Sequence, residues 1–221
     1  ERNSTRNLKN IKHAIKKGAS AFISPFPVHR KDIKSAIPYL ISKDIYSLYI
    51  ELFKIDQNKI SFKSIVVGIT GTNGKTSTVL ALAQALTLQN KKVGVISSAG
   101  IGIYPTMKKT EYTTPPVDIN YDHLLKFRKR KCDYIIIECS SQGLEQGRLR
   151  GFIFDYSFIT NIDKDHIDYH KTHKNYINSK LQIINSSKNT ILNYDSSHLK
   201  NIDSAKYRCK KLIYISDKKN R

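Results

Sequence analysis

The sequence predicts an α/β fold in which a mostly parallel sheet is covered by helices on both faces. Strand-sized apolar runs alternate with helix-length segments over most of the chain, and the connections between them are short. Parallel strands need helix-length crossovers, and burial on both faces makes such strands nearly continuously apolar. The predicted strands are 64–69, 92–97, 133–138, 155–160, 189–193 and 211–215. The predicted helices are about 75–89, 117–130, 173–187 and 196–206.

The first 63 residues have a different pattern. Residues 8–24 predict a helix ended by Gly18 and followed by a strand, and residues 37–55 predict an amphipathic helix. Two or three elements do not make a stable domain. We therefore expect residues 1–63 to be the rear part of a truncated N-terminal domain and residues 64–221 to form a separate domain.

Composition bounds the class of protein. The chain has 221 residues, 38 Lys and Arg against 18 Asp and Glu, and a formal net charge of +20. Such an excess can indicate nucleic-acid binding, but here the basic residues are mostly lysines scattered along the chain, so we favour a solvated surface. The three cysteines, Cys132, Cys139 and Cys209, form no CxxC pair. With no apolar run long enough to span a membrane, we expect a cytoplasmic protein without nucleic-acid or membrane partners.

The segment GITGTNGKTST, residues 68–78, predicts a phosphate-binding loop between a strand and a helix. Its glycines let backbone N–H groups approach phosphate oxygens, Lys75 supplies positive charge, and the Thr76 hydroxyl can reach Mg²⁺. It departs from the strict phosphate-loop pattern because Ile69 stands where glycine is required. The predicted nucleotide-binding residues are Gly71, Thr72, Asn73, Gly74, Lys75, Thr76 and Ser77.

Three further segments carry polar residues at predicted strand ends or helix starts. ECSSQGLEQGRLRG, residues 138–151, places Glu138 where it can reach a phosphate-bound metal, or alternatively face solvent. TNIDKDHIDYHKTHKNYINSK, residues 160–180, contains a His and Asp cluster that by itself could be a polar loop, and its His170 and His173 are given no role. EYTTPPVDINYDHLL, residues 111–125, could be turn and cap chemistry.

Together these segments resemble the Mur ligase family of ATP-dependent amide-forming enzymes. T-G-T-N-G-K-T is similar to the shortened loop that Mur ligases share with folylpolyglutamate synthases. E-x-S-S-x-G-L-x-x-x-R resembles the Mur ligase that adds the third amino acid to UDP-N-acetylmuramoyl-L-alanyl-D-glutamate. The remaining segments are similar to its T-T-P motif and to its T-N-x-x-x-D-H-x-D-Y-H motif followed by Y-x-x-x-K.

The resemblance implies roles for particular residues. His166 matches a ligand of a second Mg²⁺, and Lys180 matches a lysine that the family carbamylates, which turns its amine into an anionic oxygen ligand. With Lys75 and Glu138 these form the expected catalytic set, and the expected metal ligands are Thr76, Glu138, His166 and carbamylated Lys180. The expected substrate contacts are Thr113, Thr114, Ser140, Gln146 and Arg148. The sequence departs from the family at Gln142, where His is usual, and at Ile119 and Asn120, where Leu and Gln are usual.

The resemblance therefore implies a monomeric peptidoglycan-building ligase that uses ATP and Mg²⁺ and proceeds through an acyl phosphate. Its substrates would be UDP-N-acetylmuramoyl-L-alanyl-D-glutamate and a third amino acid, either diaminopimelate or lysine. The family's C-terminal amino-acid-binding domain has no counterpart in these residues, so we expect this chain by itself to bind ATP and Mg²⁺ without completing ligation. A folylpolyglutamate-synthase-like ligase and an inactive nucleotide-binding fragment are the alternatives.

Overall fold

A computed structural model describes residues 2–163 and 167–217, and the chain divides into two compact units, residues 1–58 and 59–221. The sequence placed this division after residue 63. Within the described residues, no helix is both long and apolar enough to span a membrane.

In its described residues, 2–58, the first unit contains three helices and a two-stranded parallel sheet. Its elements in order are α1 (Arg2–Lys16), β1 (Phe22–Ser24), α2 (Arg30–Ile33), β2 (Tyr39–Ile41) and α3 (Ile45–Asn58). Gly18, at φ +93°, follows the end of α1 as the sequence predicted. The single helix predicted over residues 37–55 is wrong, because residues 39–41 pair with β1 and the helix begins only at Ile45. The Phe22 and Tyr39 rings stack at 4.9 Å across this pair of strands.

The second unit is built on an eight-stranded sheet, which confirms the predicted α/β fold. Its strands are β3 (Ile65–Thr70), β4 (Val93–Ser97), β5 (Gly100–Ile103), β6 (Thr106–Lys108), β7 (Tyr134–Glu138), β8 (Phe154–Ile159), β9 (Ser187–Asn193) and β10 (Lys211–Ile215). Their order across the sheet is β10-β9-β8-β3-β7-β4-β5-β6. All neighbours are parallel except β4 with β5 and β5 with β6. β3 therefore lies at the centre, between β7 and β8.

The helices of this unit are α4 (Lys75–Leu88), α5 (Val117–Lys129), α6 (Ser141–Glu145), α7 (Ile167–His170) and α8 (His173–Asn185). Alternate residues of a strand point to opposite faces of the sheet. On β3, Val67 and Ile69 belong to the core cluster that includes Val79 and Ala83 of α4. Gly68, on the other face, lies against Ile183 of α8. Helices therefore cover both faces, as the apolar strands predicted.

The second unit differs from the sequence prediction at the short helices α6 and α7, which were not predicted, and in two longer segments. The helix predicted over 196–206 is wrong: turns and a short 3₁₀ helix, Ser204–Lys206, occupy this region. The Asp203 side chain accepts a hydrogen bond from the Ala205 N–H, and such local capping competes with a continuous helix. The antiparallel hairpin of β5 and β6 was not predicted. Its glycines hid the strand pattern, although they allow close approach, since a Cβ at Gly102 would lie 2.5 Å from the Thr106 carbonyl oxygen.

Candidate functional site

The candidate site lies where β3, β7 and β8 end, because each strand leads into one of the predicted motifs. β3 continues into loop 71–74, β7 ends at Glu138, and β8 is followed by residues 160–163. These strands are neighbours in the sheet, so motifs far apart in sequence meet at one edge. In parallel α/β sheets the carboxyl ends of the strands are where ligands bind.

Two glycines shape the loop between β3 and α4. Gly71 has φ +150°, and a Cβ there would collide with the Thr160 hydroxyl. Gly74, at φ +79°, is the N-cap of α4 and has open space on its Cβ side. Because glycine provides no side-chain acceptor, the first N–H groups of α4 are not capped by a side chain at this position. A helix start of this kind suits an anionic ligand.

The positively charged Lys75 side chain lies against this loop. The Lys75 ammonium group donates to the carbonyl oxygens of Gly71 at 3.0 Å and Thr72 at 2.8 Å. Asn73 and Ser77, two other residues of the predicted loop, are exposed. The loop therefore presents glycine backbone, a lysine and exposed polar side chains in one turn.

A second loop holds the first in place through its backbone. The Asn161 side chain accepts from the Asn73 N–H at 2.9 Å and donates to the Asn73 carbonyl oxygen at 3.1 Å. The Thr160 hydroxyl donates to the same carbonyl at 2.7 Å, and the Thr72 N–H donates to the Asn161 carbonyl at 2.9 Å. Sequence reasoning gave Thr160 and Asn161 no role, although they are the first two residues of the predicted segment 160–180. We call this set of contacts the Asn161 clamp.

Glu138 lies in a cluster of oxygen atoms next to the loop. Its side chain is buried, with the residue only 1% exposed, so the solvent-facing alternative does not hold. The Thr76 hydroxyl donates to one carboxylate oxygen at 2.8 Å. The backbone N–H and the hydroxyl of Ser98 both donate to the second carboxylate oxygen of Glu138, each at 3.0 Å. Carboxylate and hydroxyl oxygens suit a hard cation such as Mg²⁺, and Ser98 is a member that sequence reasoning missed.

Lys180 is buried on α8, with 1% of the residue exposed, and is not a surface lysine. Its ammonium group donates to the Gly71 carbonyl oxygen at 2.6 Å and lies 4.5 Å from the centre of the Tyr176 ring. The Tyr176 hydroxyl in turn donates to the Thr72 hydroxyl oxygen at 2.9 Å. Lys75 and Lys180 thus share one loop carbonyl, and two lysines distant in sequence reach the same turn.

The two predicted threonines differ in their surroundings. Thr114 is 1% exposed, and its hydroxyl donates to the Glu138 carbonyl oxygen at 2.8 Å and accepts from the Ser140 N–H at 2.9 Å. The Ser140 hydroxyl caps α6 by accepting from the Gly143 N–H at 3.0 Å. Thr113 is half-buried. Thr114 therefore joins its segment to the end of β7, directly behind the Glu138 carboxylate.

Gln146 and Arg148 form a pair just after α6. The Arg148 Nε donates to the Gln146 side-chain oxygen at 2.8 Å, and one terminal nitrogen donates to the Thr114 carbonyl at 2.8 Å. The side-chain amide of buried Asn120 donates to the carbonyls of Pro115 at 2.6 Å and Arg148 at 3.0 Å. Asn120, one of the departures from the family pattern, thereby ties the threonine segment to the Arg148 segment.

His166 and Cys139 are the remaining motif residues that could take part in metal binding or catalysis. His166 lies outside the described residues. Within residues 2–163 and 167–217, no group of three or more His, Cys, Asp or Glu side chains is arranged to hold a metal ion. Cys139, beside Glu138, is fully buried, and burial raises the pKa of its thiol well above its ordinary value. A buried neutral thiol is a poor nucleophile.

The motifs are shared with a known family over most of the chain. The family description "Mur ligase middle domain" matches residues 69–221. The chain belongs to the Mur ligase family. This confirms the resemblance on which the sequence prediction rested, and it assigns the second unit to the middle domain of Mur ligases.

Individual Mur ligases are similar to larger parts of the chain. A curated UDP-N-acetylmuramoyl-L-alanyl-D-glutamate–2,6-diaminopimelate ligase of Coxiella burnetii is 33% identical over 171 residues. The match covers 77% of this chain and 35% of that protein, so the chain spans about a third of its relative's length. A solved structure of a ligase of the same name is 26% identical, has a TM-score of 0.79, and covers 97% of this chain and 44% of that one.

A solved structure with a different name also has a similar fold. E. coli FolC, solved with DHPP and ADP, is 19% identical with a TM-score of 0.55, over 76% of this chain and 45% of that chain. At that identity the likeness concerns the fold alone. The Mur ligase relatives, with higher identity and a higher TM-score, agree with the choice that the E-x-S-S-x-G-L-x-x-x-R segment indicated.

Proposed function

We propose that this chain is the ATP-binding part of a ligase that joins a diamino acid to UDP-N-acetylmuramoyl-L-alanyl-D-glutamate. The observation that carries the proposal is the position of Glu138. Its carboxylate binds Thr76 of the phosphate loop, and its main-chain carbonyl binds Thr114 of the predicted substrate segment. The nucleotide end and the acceptor end of the site therefore meet at one residue, as a reaction between bound ATP and a bound carboxylate requires.

The residues present fit a nucleotide and a hard divalent cation. Loop 71–77 would hold the phosphates with backbone N–H groups and the Lys75 ammonium group, while Thr76 and Glu138 would hold Mg²⁺. ATP would supply the phosphoryl group that activates a carboxylate, and Mg²⁺ would offset the charge of the phosphates. The chain's own contribution is to hold the reacting groups together and to position Lys75 near the phosphates, with Lys180 on the same loop carbonyl.

We also propose that Lys180 is carbamylated in the active protein and that His166 binds a second Mg²⁺. The Lys180 side chain is buried, and a carbamate forms when the neutral amine of such a lysine reacts with CO₂. A carbamate keeps one N–H, so the hydrogen bond to the Gly71 carbonyl oxygen can persist. These two assignments rest on the motif match, and mass spectrometry of the intact protein at high and low bicarbonate tests the carbamate.

The acceptor substrate would bind at the other side of Glu138. Arg148 has a planar guanidinium that suits a carboxylate, and Gln146 lies beside it. With Ser140, Thr113 and Thr114 these residues would contact the dipeptide of the precursor. The relatives are named for 2,6-diaminopimelate, so we propose diaminopimelate rather than lysine as the third amino acid.

The proposal includes the setting of the reaction. An ATP-consuming ligase belongs in the cytoplasm, and we propose that the protein acts there as a monomer. We propose no nucleic-acid or membrane partner. Light scattering coupled to size-exclusion chromatography measures the molar mass in solution. A mass twice that of the chain would refute the monomer.

Calorimetric titration tests the nucleotide part of the proposal. A non-hydrolysable ATP analogue with Mg²⁺ is titrated into the chain with and without the UDP-linked precursor. We expect binding that the precursor strengthens, that Lys75→Ala abolishes, and that Lys174→Ala, which changes an exposed lysine, leaves unchanged. Equal binding by the chain and by Lys75→Ala would refute the assignment of this loop.

A further inference from the structure

The short helix α7 docks on α6 through a buried histidine. The side chain of His170 is fully buried. Its Nε2 lies 3.0 Å from the hydroxyl oxygen of Ser141, a residue 3% exposed, and its Nδ1 lies 2.9 Å from a carboxylate oxygen of Glu145. Within the described chain the contact with Glu145 lacks the direction of a hydrogen bond. Ser141 is therefore the hydrogen-bonding partner, and Glu145 lies in contact with the other ring nitrogen.

The neighbouring residue of α7 contacts the other end of the same segment. The Tyr169 hydroxyl accepts a hydrogen bond from the Gln146 side-chain nitrogen at 2.7 Å. The Gln146 oxygen accepts from Arg148 at 2.8 Å. Two adjacent residues of α7 thus contact the beginning of α6 and the Gln146–Arg148 pair that follows its end.

The α6 helix depends on such contacts for its position. It has five residues, and helices of this length are not stable without tertiary packing. The Ser140 cap fixes its start but does not determine its rotation about its axis. A contact from another element to Ser141, on the first turn, constrains that rotation, together with the packing of Gly143 against Thr114, and so constrains the direction in which Gln146 and Arg148 point.

His170 is itself held rigidly. Its ring lies edge-on to the rings of Tyr169 at 4.8 Å and Tyr176 at 5.3 Å. Its carbonyl oxygen accepts from the Thr172 N–H at 2.7 Å and from the Asn175 side chain at 3.1 Å. A rigid, buried imidazole can fix the orientation of a short helix that it contacts.

We propose that His170 is a positioning residue, which fixes α6 against α7 and thereby sets the Gln146–Arg148 pair for a carboxylate-bearing substrate. The identity of that substrate rests on the proposed function. The phosphate loop is held mainly by contacts that do not include His170, namely the Asn161 clamp and the Lys180 hydrogen bond to Gly71, while Tyr176 contacts both His170 and Thr72. The two binding events should therefore respond differently when His170 is changed.

The test compares His170→Ala, His170→Gln and the control His198→Ala, which removes an exposed histidine. Loss of a buried hydrogen bond predicts roughly tenfold faster amide exchange in residues 141–148 of His170→Ala, with residues 71–78 unchanged. Affinity for the UDP-linked precursor should fall by roughly tenfold, while affinity for the ATP analogue stays within about threefold. Glutamine can reach Ser141 with its amide, so His170→Gln should recover most of the precursor affinity.

The outcomes separate this inference from the proposed function. If the unchanged chain does not bind the precursor, the proposed function fails, and exchange in residues 141–148 still decides the role of His170. Unchanged exchange in His170→Ala, or faster exchange with unchanged precursor affinity, overturns the inference. If His170→Ala does not fold, Ser141→Ala removes the same hydrogen bond with little change of volume and is held to the same criteria.

Discussion

At the scale of single residues, the candidate site depends on side chains that satisfy the backbone of another loop. Asn161 is an instance, because its amide both donates to and accepts from Asn73. This geometry matches the donor and acceptor of an asparagine amide and of no other side chain of that length. The conformation of the phosphate loop is therefore set partly by a residue 88 positions away.

Replacing Asn161 with Ala should weaken nucleotide binding. The loop would lose two hydrogen bonds, and we expect about 1–3 kcal/mol of lost ATP-analogue binding free energy. Calorimetry on Asn161→Ala measures this loss. Asn178→Ala, at an exposed position of α8, is the control and should bind as the unchanged chain does. Equal affinity for both variants would contradict the role of the clamp.

The two loop glycines should tolerate alanine unequally. At Gly71 a Cβ collides with the Thr160 hydroxyl, so we expect Gly71→Ala to cost about 2 kcal/mol or more of unfolding free energy. At Gly74 a Cβ would meet open space. Gly74→Ala should therefore lower the unfolding free energy only through the backbone strain of φ +79°, by about 1 kcal/mol. Chemical denaturation of both variants compares these costs. A larger loss for Gly74→Ala would show that the close approach of Thr160 is not what requires glycine.

At the scale of elements, glycines in the strands let helices lie close to the sheet. A Cβ at Gly94 of β4 would lie 2.6 Å from the Phe127 ring of α5, and one at Gly68 of β3 would lie 3.0 Å from Ile183 of α8 and 2.8 Å from the Phe154 ring of β8. Glycine in a strand otherwise weakens it. Here each glycine provides space for an aromatic ring, which buries more apolar area than a methyl group would.

The pairing of Gly94 with Phe127 can be tested by a double-mutant cycle. Gly94→Ala should lower the unfolding free energy by about 1–3 kcal/mol through overpacking. Phe127→Leu should also destabilise the chain, because it removes a buried ring. The double variant should be more stable than the sum of the two losses implies, by at least about 0.5 kcal/mol. Simple additivity would mean that the ring is not what excludes a side chain at Gly94.

At the scale of the whole molecule, the dominant property is a formal charge of +20. A net positive field attracts anionic ligands and weakens as salt screens it. The ligands that we propose, ATP and a UDP-linked dipeptide, are both anionic. The charge excess, for which the sequence favoured a solvated surface over nucleic-acid binding, is thus compatible with the proposed substrates.

This charge predicts a salt-dependent affinity for the nucleotide. The Debye length falls from about 10 Å at 0.1 M salt to about 3 Å at 1 M, so the Kd of the ATP analogue should rise several-fold over that range. Adenosine, which carries no phosphate, is the control and should show no such dependence. A Kd for the analogue that does not change with salt would mean that only short-range contacts determine its binding.

The sequence by itself determined the α/β fold, the family and the position of the glycine-rich loop between β3 and α4. Each depends on information within a short window: the spacing of apolar residues, a glycine at a strand end, and motif letters such as those of residues 138–148. Periodicity failed where the window was misleading, as in the glycine-rich β5 and in residues 196–206, where Asp203 caps its own turn.

Only the tertiary structure decided which of these residues are buried and what they contact. The sequence left Glu138 open to being a surface residue, and nothing in the local pattern around Lys180 indicates burial, yet the fold buries both. It gave no role to Asn161 or His170, whose partners lie 88 and 29 positions away. The physical reason is that burial and hydrogen-bond partners depend on which strands become neighbours. The placement of β3 between β7 and β8 is a property of the assembled sheet, which no local segment of the chain specifies.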